Sequence, residues 1–225
     1  IFAAGDRLLL DVEREQVPML LGKLNRLKLR ARVTLAKQPQ LAVVAGSASS
    51  PELPDDAVIA PDPRLAEAGW RAIVAAPEAT EAGATDRDEA DWDRHRLALG
   101  LPDGSRDLEA EKTLLLEAGF DELHGISWTK GCYMGQELTA RTRYRGLIKR
   151  RLVPVAIDGR LPAPGTPITM QGAEVGTMRS GRDNAGLATL RLEALAAGAG
   201  LRAGDAVLTA RPPAWMALPQ AQAAT

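Results

Sequence analysis

The sequence predicts an α+β protein that ends in a small antiparallel β-barrel. Near the N terminus, strand-like segments flank an amphipathic helix, which is the order of a sheet covered by a helix. From about residue 152 to residue 212, short apolar segments alternate with glycine and proline, which is typical of a small barrel. The length of 225 residues is enough for one large domain or two smaller ones.

The N-terminal elements are predicted from the spacing of the apolar residues. The segment DRLLLDVE, residues 6–13, follows a Gly–Asp turn and predicts a strand. Residues 15–29 carry leucines and a valine at helical spacing, which predicts an amphipathic helix. The segments RARVTLA and LAVVAG, residues 30–36 and 41–46, predict two further strands.

The middle of the chain predicts one strand and two helices. A loop rich in serine and proline is expected at residues 47–56, and a strand is expected at residues 70–75. Residues 86–99 predict a helix whose acidic first turns suit the helix dipole and whose end is marked by glycine and proline. Residues 107–118 predict a third, weaker helix.

These elements are expected to form two modules and a tail. Residues 1–151 form the α+β module, residues 152–215 form the barrel, and residues 216–225 form a frayed tail. The chain begins with Ile1, already in strand-like sequence, so we expect it to be the remainder of something longer.

The composition excludes several classes of protein. A formal net charge of −1 argues against a protein that coats nucleic acid, and no apolar run approaches the roughly 20 residues of a membrane span. Cys132 is the only cysteine, which rules out an internal disulfide, and with only two histidines we expect no metal site. The bacterial cytoplasm or a mitochondrial matrix is the expected compartment.

The stretch KGCYMGQE, residues 130–137 and here named the Cys132 loop, carries the residue types of a ligand site. Gly131 and Gly135 have no Cβ, so the backbone can take positive φ and a flat ligand can approach closely. Lys130 would favour the thiolate form of Cys132 if the two side chains approach each other.

The second half of the Cys132 loop offers hydrogen bonds to a ring. Gln136 provides a donor and an acceptor, whereas an ionised Glu137 provides acceptors only. A heterocycle with N–H donors and a carbonyl would satisfy this pair, and Tyr133 could stack on it. The alternative interpretation is a glycine-bounded turn that starts a helix, with a buried cysteine acting as a small hydrophobic residue.

The Cys132 loop resembles the signature of the YgfZ-type folate-binding proteins, relatives of the glycine-cleavage T-protein (aminomethyltransferase). The resemblance extends to DRHRLALGLPDGSRDL at residues 93–108 and to EVGTMRSGRDNAGLATLRL at residues 174–192, the strand pair of that family's C-terminal barrel. It implies a T-protein-like folate-binding module with mixed or antiparallel sheets and covering helices, which lacks its N-terminal part here and is followed by the barrel.

The resemblance also implies a cofactor and the residues that bind it. The cofactor is tetrahydrofolate or a one-carbon derivative, and Cys132 is a functional thiol in the catalytic position. We expect the thiol and the Gln136–Glu137 pair to line one flat-sided hollow. The residues expected to bind the cofactor are Lys130, Gly131, Tyr133, Gly135, Gln136, Glu137, Arg141 and Arg145.

One departure from the family pattern argues against aminomethyl transfer. In the aminomethyltransferases, the segment RLEAG carries a glutamate that holds the pteridine, and here RLALG has Ala98 at that position. The segment RTGYTGE has no counterpart either. We therefore expect a non-enzymatic, folate-dependent factor. If the protein is an enzyme, we expect an aminomethyltransferase-like transferase.

The basic stretch, residues 141–151, has three interpretations. It could receive the glutamate tail of a folate, bind RNA phosphates, or form a solvated connection between modules. Its six cations are Arg141, Arg143, Arg145, Lys149, Arg150 and Arg151.

By resemblance, the expected function is that of an accessory factor for the assembly or repair of iron–sulfur enzymes, including enzymes that modify tRNA. Its partners would then be folate and iron–sulfur client or assembly proteins. We expect no association with a membrane. The alternatives are a folate-dependent aminomethyltransferase and an RNA-binding module built on the basic stretch.

Overall fold

The structure of the chain is a computed structural model that describes residues 1–47, 53–77 and 86–218. Its internal contacts divide the chain into two compact units. The first unit comprises Ile1–Asp62 and Gly69–Glu89, and the second comprises Pro63–Ala68 and Ala90–Thr225. In the described ranges, no helix has both the length and the apolar composition needed to cross a bilayer.

The first unit contains a hairpin, a helix and a three-stranded antiparallel sheet. Strand β5 lies between β3 and β4, so both of its edges are paired. Ala72 and Val74 of β5 are buried and pack against Ala42 and Val44 of β3, because alternate residues of a strand face the same side. The elements are β1 (Phe2–Ala4), β2 (Arg7–Leu9), α1 (Val17–Leu27), β3 (Leu41–Gly46), β4 (Val58–Pro61) and β5 (Trp70–Ala75).

Two expectations for the first unit need correction. The helix is confirmed, but none of the residues of α1 is buried, so its apolar face does not cover a sheet within the described part of this unit. The strand predicted at residues 30–36 is wrong. Val33 is half exposed, and no described strand pairs with this segment to satisfy its backbone N–H and C=O groups. Residues 48–52 of the predicted loop lie outside the described residues.

The helices from residue 86 onward differ from prediction at one place. Residues 86–99 form the predicted helix, whereas the helix predicted at residues 107–118 is wrong, and the nearest helical turn is Gly104–Asp107. Leu108 is extended and Glu111 has a φ of +63°, and neither conformation can continue a helix. The helices are α2 (Asp86–Leu99), α3 (Gly104–Asp107), α4 (Gln136–Tyr144) and α5 (Leu192–Ala197).

The C-terminal strands form a closed antiparallel barrel in the order β10–β11–β6–β9–β8–β7. This confirms the predicted barrel and, with the helices, the predicted α+β class. The strands are β6 (Arg150–Asp158), β7 (Pro167–Met170), β8 (Ala173–Arg182), β9 (Ala185–Arg191), β10 (Leu201–Ala203) and β11 (Ala206–Ala210).

Strand β6 is buried on both faces. Val153, Val155 and Ile157 point into the barrel core, where they pack among residues of the other strands. Leu152, which faces the opposite side, packs with Leu97 of α2 in a second cluster. The alternation of strand side chains therefore lets one strand close the barrel and hold α2.

The predicted module boundary at residue 151 differs in position from the boundaries between the two compact units, and it stays a prediction. Met216, the first residue of the predicted tail, is buried in the barrel core. Residues 219–225 of that tail lie outside the described residues.

Candidate functional site

The Cys132 loop leads directly into α4, in the second unit. Gly135 precedes the helix with a φ of +84°, a conformation that glycine takes without strain. Gly131 does not have positive φ, so its expected use for an unusual backbone conformation is wrong. A Cβ added at either glycine would meet no atom within 4 Å, so both positions border open space.

A cavity of about 330 Å³ lies beside the Cys132 loop. Its walls come from residues 113–116, from residues 125–127 and from seven of the residues between Lys130 and Thr142, both included. The aliphatic side chains in the wall are Leu114, Leu115, Leu116, Ile126 and Leu138. A volume near 300 Å³ is at the small end of the range for small-molecule sites, which is about 300–1,000 Å³.

Only part of the predicted site lines this cavity. Lys130, Tyr133 and Gly135 belong to its wall, whereas Gly131, Cys132, Gln136 and Glu137 do not. Neighbouring side chains in a non-helical segment point in different directions, so Tyr133 can enter the wall while Cys132 remains exposed. The expectation that the thiol and the Gln136–Glu137 pair share one hollow is therefore wrong. The binding roles of these residues stay predictions.

Two groups of the cavity wall have no polar partner among the described residues. The Tyr133 hydroxyl is shielded from water and makes no hydrogen bond. The Lys130 ammonium lies 5.4 Å from the centroid of the Tyr133 ring, in a cation–π contact, and forms no ion pair there. Because the hydroxyl oxygen has almost no accessible surface, a ligand in the cavity would meet the exposed Lys130 cation and not this hydroxyl.

Trp128 and Arg143 hold α4 against the preceding segment. The Arg143 guanidinium lies 4.2 Å from the centroid of the Trp128 ring, and Trp128 Nε1 donates to Asp121 Oδ1 at 2.6 Å. Arg143 also pairs with Asp121 at 3.5 Å. The role of Arg143 is thus to position α4, and its spacing in the sequence carried no signal of this.

The basic stretch separates into buried and exposed cations. Arg151 is buried, and it donates to Leu116 O at 3.0 Å and to Glu122 Oε1 at 2.6 Å. Its interpretation as part of a phosphate- or tail-binding surface is therefore wrong. Four other cations are exposed and form no ion pair within the described residues. These four are Arg141, Arg145, Lys149 and Arg150.

A buried ionic cluster that the sequence analysis did not find, here named the Arg96 network, lies in the second unit. Arg96 of α2 pairs with Asp93 at 2.6 Å and with Asp107 at 2.8 Å, and it donates to Ser180 Oγ at 2.8 Å. Asp107 in turn accepts from both the hydroxyl and the backbone N–H of Ser180, at 2.6 and 3.0 Å. The only signal in the sequence was the i,i+3 spacing of Asp93 and Arg96.

Asp93 also accepts hydrogen bonds from two arginines at the rim of the Arg96 network. Arg106 and Arg182 donate to its oxygens at 2.8 to 3.2 Å. Burial alone would raise the pKa of Asp93, but these hydrogen bonds and the charge of Arg96 outweigh burial and lower the pKa from 3.8 to about 2.

We expect this lowered pKa to make the second unit sensitive to acid. Because the pKa of Asp93 is lower in the folded chain, its contribution is fully present above pH 4 and is lost as the pH falls towards 2. Arg106 and Arg182 are 45% and 37% exposed, so allowing for screening by water the loss is about 1–2 kcal/mol. Urea unfolding between pH 5 and pH 2 measures it, and an Asp93→Asn variant with the same pH slope as the unsubstituted chain would contradict the assignment.

Two further points concern position 98 and the search for residues that could bind a metal ion. The position where the aminomethyltransferases carry a glutamate is Ala98 here, so it has no acidic group. Ala98 is exposed on α2. Among the described residues, no group of three or more histidine, cysteine, aspartate or glutamate side chains is arranged to hold a metal ion.

Comparisons with known proteins agree with this architecture. Residues 149–218 match the family model described as "CAF17, C-terminal beta-barrel domain". The crystal structure of glycine cleavage system aminomethyltransferase T from Bartonella henselae resembles the chain with a TM-score of 0.50 and 16% identity, over 72% of this chain and 50% of that one. The chain therefore combines a T-protein-like fold with a C-terminal barrel of the CAF17 type.

The sequence is similar to proteins named iron–sulfur cluster assembly factor IBA57, mitochondrial. The human protein is 37% identical over 84% of this chain and 58% of its own length. The mouse protein is 35% identical over 83% of this chain and 57% of its own, and the Mycosarcoma maydis homolog is 31% identical over 83% and 56%. The chain thus spans somewhat more than half the length of these relatives. The finer YgfZ-type label stays a prediction.

Proposed function

We propose that this chain is part of an iron–sulfur cluster assembly factor. The observation that carries the proposal is its similarity, over more than four fifths of its length, to proteins named for that role. The exposed thiol of Cys132 is the second support, because a group that contacts an iron- or sulfur-bearing partner has to be accessible. The partners are iron–sulfur assembly proteins or client enzymes, and the mitochondrial names of the relatives favour the mitochondrial matrix.

The second part of the proposal is that the Cys132 loop binds tetrahydrofolate or a one-carbon derivative. The T-protein-like fold, the cavity beside the loop and the exposed cation of Lys130 in its wall support it. Arg141 lies on α4 and Arg145 directly follows it. Both side chains are exposed and would meet the further glutamates of a folate polyglutamate. Ala98 supports folate binding without aminomethyl transfer.

The role of the thiol is tested by replacing Cys132 with alanine in cells that lack the protein. We expect the variant to fail to restore [4Fe–4S] enzymes, including those that thiomethylate tRNA. Because Cys132 is exposed, the stability of the protein should change by less than about 0.5 kcal/mol, so the loss cannot come from unfolding. Thr129→Ala, at an exposed position just before the Cys132 loop and outside the cavity wall, is the control. Full restoration by Cys132→Ala would overturn the role.

Folate binding is tested by calorimetric titration of the full-length protein with tetrahydrofolate. Wild type should bind, and Glu137→Gln should weaken binding if Glu137 reads the edge of the ring. The same titration with a short RNA addresses the alternative that rests on the four exposed cations. RNA binding that exceeds folate binding and falls steeply with salt would favour that alternative, because phosphate contacts release counterions.

A further inference from the structure

Two arginines lie directly opposite each other on neighbouring strands of the C-terminal barrel. The register of the antiparallel pair β6–β9 places Arg150 opposite Arg191, so their Cβ atoms are about 5 Å apart. Both side chains are exposed, and neither makes a hydrogen bond or an ion pair with a residue that the structure describes. Because like charges at opposed positions destabilise a sheet, an anion bound between the two arginines would remove a cost.

A recess of about 140 Å³ lies beside this arginine pair, within the second unit. Arg150 and Leu152 of β6, Thr189 of β9 and Arg179 of β8 form the barrel side of its wall. The rest of the wall comes from the segment between Asp107 and Ala118. No residue of the Cys132 loop lines the recess, so it is separate from the cavity described above.

Several donors in the wall of the recess remain available. The hydroxyl oxygens of Thr113 and Thr189 accept from Glu109 N–H at 2.8 Å and from Arg179 Nε at 3.4 Å, so each hydroxyl keeps its own proton for another acceptor. The guanidinium group of Arg150 has no partner among the described residues. These groups together call for an acceptor, and the cation favours one that is negatively charged.

Three carboxylates also line the recess, and two of them are engaged. Asp107 belongs to the Arg96 network, and Glu109 pairs with both Lys112 and Arg179. The carboxylate of Glu117 makes no hydrogen bond or ion pair with a described residue, so it opposes an anion in the recess. Three cations in the wall and the second arginine of the opposed pair stand against Glu109 and Glu117, which leaves this surface positive on balance.

The size and the lining of the recess favour an acidic side chain of a protein over RNA. Its volume is well below the range of about 300–1,000 Å³ for small-molecule sites, and none of the described residues in its wall is aromatic, so a base has nothing to stack on. A single aspartate or glutamate side chain is short enough to enter. Its carboxylate can accept from hydroxyl and guanidinium donors at the same time.

We infer that this surface, which consists of Arg150, Arg191 and the recess beside them, binds an acidic segment of a partner protein. The inference rests on the iron–sulfur part of the proposed function, because it says how such a factor holds an assembly or client protein. One carboxylate enters the recess and accepts from Arg150 and the two threonine hydroxyls. A neighbouring carboxylate of the same segment lies between the opposed arginines.

Fluorescence anisotropy of the full-length protein with a labelled peptide of four Gly–Glu repeats tests the inference. We expect this peptide to bind at low salt and the matching peptide of four Gly–Gln repeats not to bind. Arg150→Gln and Arg191→Gln should each weaken binding by about two- to fivefold, the effect of one partly exposed ion pair. Glu117→Gln should strengthen binding, because it removes the opposing charge. Arg160→Gln is the matched control, at an exposed barrel position outside the recess wall.

Thermal unfolding separates this role from a purely structural one. Each single substitution in the arginine pair relieves repulsion, so the melting temperature of Arg150→Gln and of Arg191→Gln should equal or exceed that of wild type. A lower melting temperature in both variants would mean that the pair stabilises the barrel, and the inference would then be wrong.

Three results of the titration contradict the inference. The first is that the acidic peptide does not bind. The second is that Arg141→Gln weakens it while the Arg150 and Arg191 variants do not, which assigns the binding to α4. The third is that octauridylate RNA binds more tightly through the same two arginines.

Complementation of cells that lack the protein separates the inference from the proposed function. The Arg150→Gln/Arg191→Gln double variant should restore [4Fe–4S] enzymes less well than Arg160→Gln does. If the double variant restores them as fully as wild type, the docking surface is wrong and the assembly role stands. If wild type itself restores nothing, the assembly role is wrong, and the titration decides on the surface by itself.

Discussion

Replacing Asp107 with alanine is expected to lower the free energy of unfolding by about 3–5 kcal/mol, the cost of breaking a buried ion pair from one side. Asp107 is 1% exposed, and its carboxylate accepts from Arg96, from the backbone N–H of Asp103 and from both donors of Ser180. Alanine would leave the buried guanidinium of Arg96 with one carboxylate fewer and would leave the Ser180 donors without an acceptor.

Urea unfolding of the Asp107→Ala variant at neutral pH measures this loss. The control is Asp91→Ala, which removes an ion pair with Arg94 on the surface of α2, where both side chains are more than half exposed. Exposed pairs contribute little, so the control should unfold near the wild-type midpoint. If the Asp107 variant unfolds at the same urea concentration as the control, the Arg96 network does not stabilise the second unit.

Replacing Arg151 with methionine is expected to cost about 2–3 kcal/mol, whereas the same change at its neighbour Arg150 should cost little. Arg151 is 2% exposed and bonds to Leu116 O and Glu122, so methionine leaves a partly buried carboxylate without its cation. Glu122 retains some contact with water, being 19% exposed, which keeps the cost below that of a fully buried pair. Arg150 is exposed and forms no ion pair within the described residues.

Thermal unfolding of the two variants, with circular dichroism as the signal, provides the comparison. Both variants lose one positive charge from adjacent positions, so a difference between them reports burial and not net charge. Equal melting temperatures would mean that Arg151 belongs to the exposed part of the basic stretch after all.

Elements whose signal is local in the sequence were predictable. The strands of the barrel follow short apolar segments, and the glycines and prolines between them mark the turns. Helix α1 follows the spacing of its apolar residues, and helix α2 follows its acidic first turns and the glycine and proline at its end. The segment at residues 30–36 shows the limit of this approach, because an alternating pattern indicates a strand only where a neighbouring strand is present to pair with it.

Contacts between residues far apart in the sequence were not predictable. Ser180 is 73 positions from Asp107, and it is available because the pairing of β8 with β9 changes register between Met178 and Gly181. Such an irregularity leaves a backbone N–H outside the regular ladder, and here that N–H is donated to Asp107. No single-residue pattern reveals which serine will lie at a bulge.

The candidate site was predictable in its residue types but not in its orientation. The Cys132 loop was identified, and Lys130, Tyr133 and Gly135 do line one cavity. The exposure of Cys132 and the placement of Gln136 and Glu137 outside the cavity depend on how the chain turns at Gly135 before α4. Backbone turns of this kind follow from φ and ψ angles, which composition and spacing do not specify.

The closure of the C-terminal barrel has a consequence for how the protein behaves at high concentration. A strand at the edge of an open sheet exposes backbone donors and acceptors that can recruit a strand from another molecule, which is a common route to aggregation. In the barrel, β10 pairs with both β11 and β7, so the ring of strands is complete. Its backbone thus offers no free strand edge to a neighbouring molecule, even when many copies are crowded together.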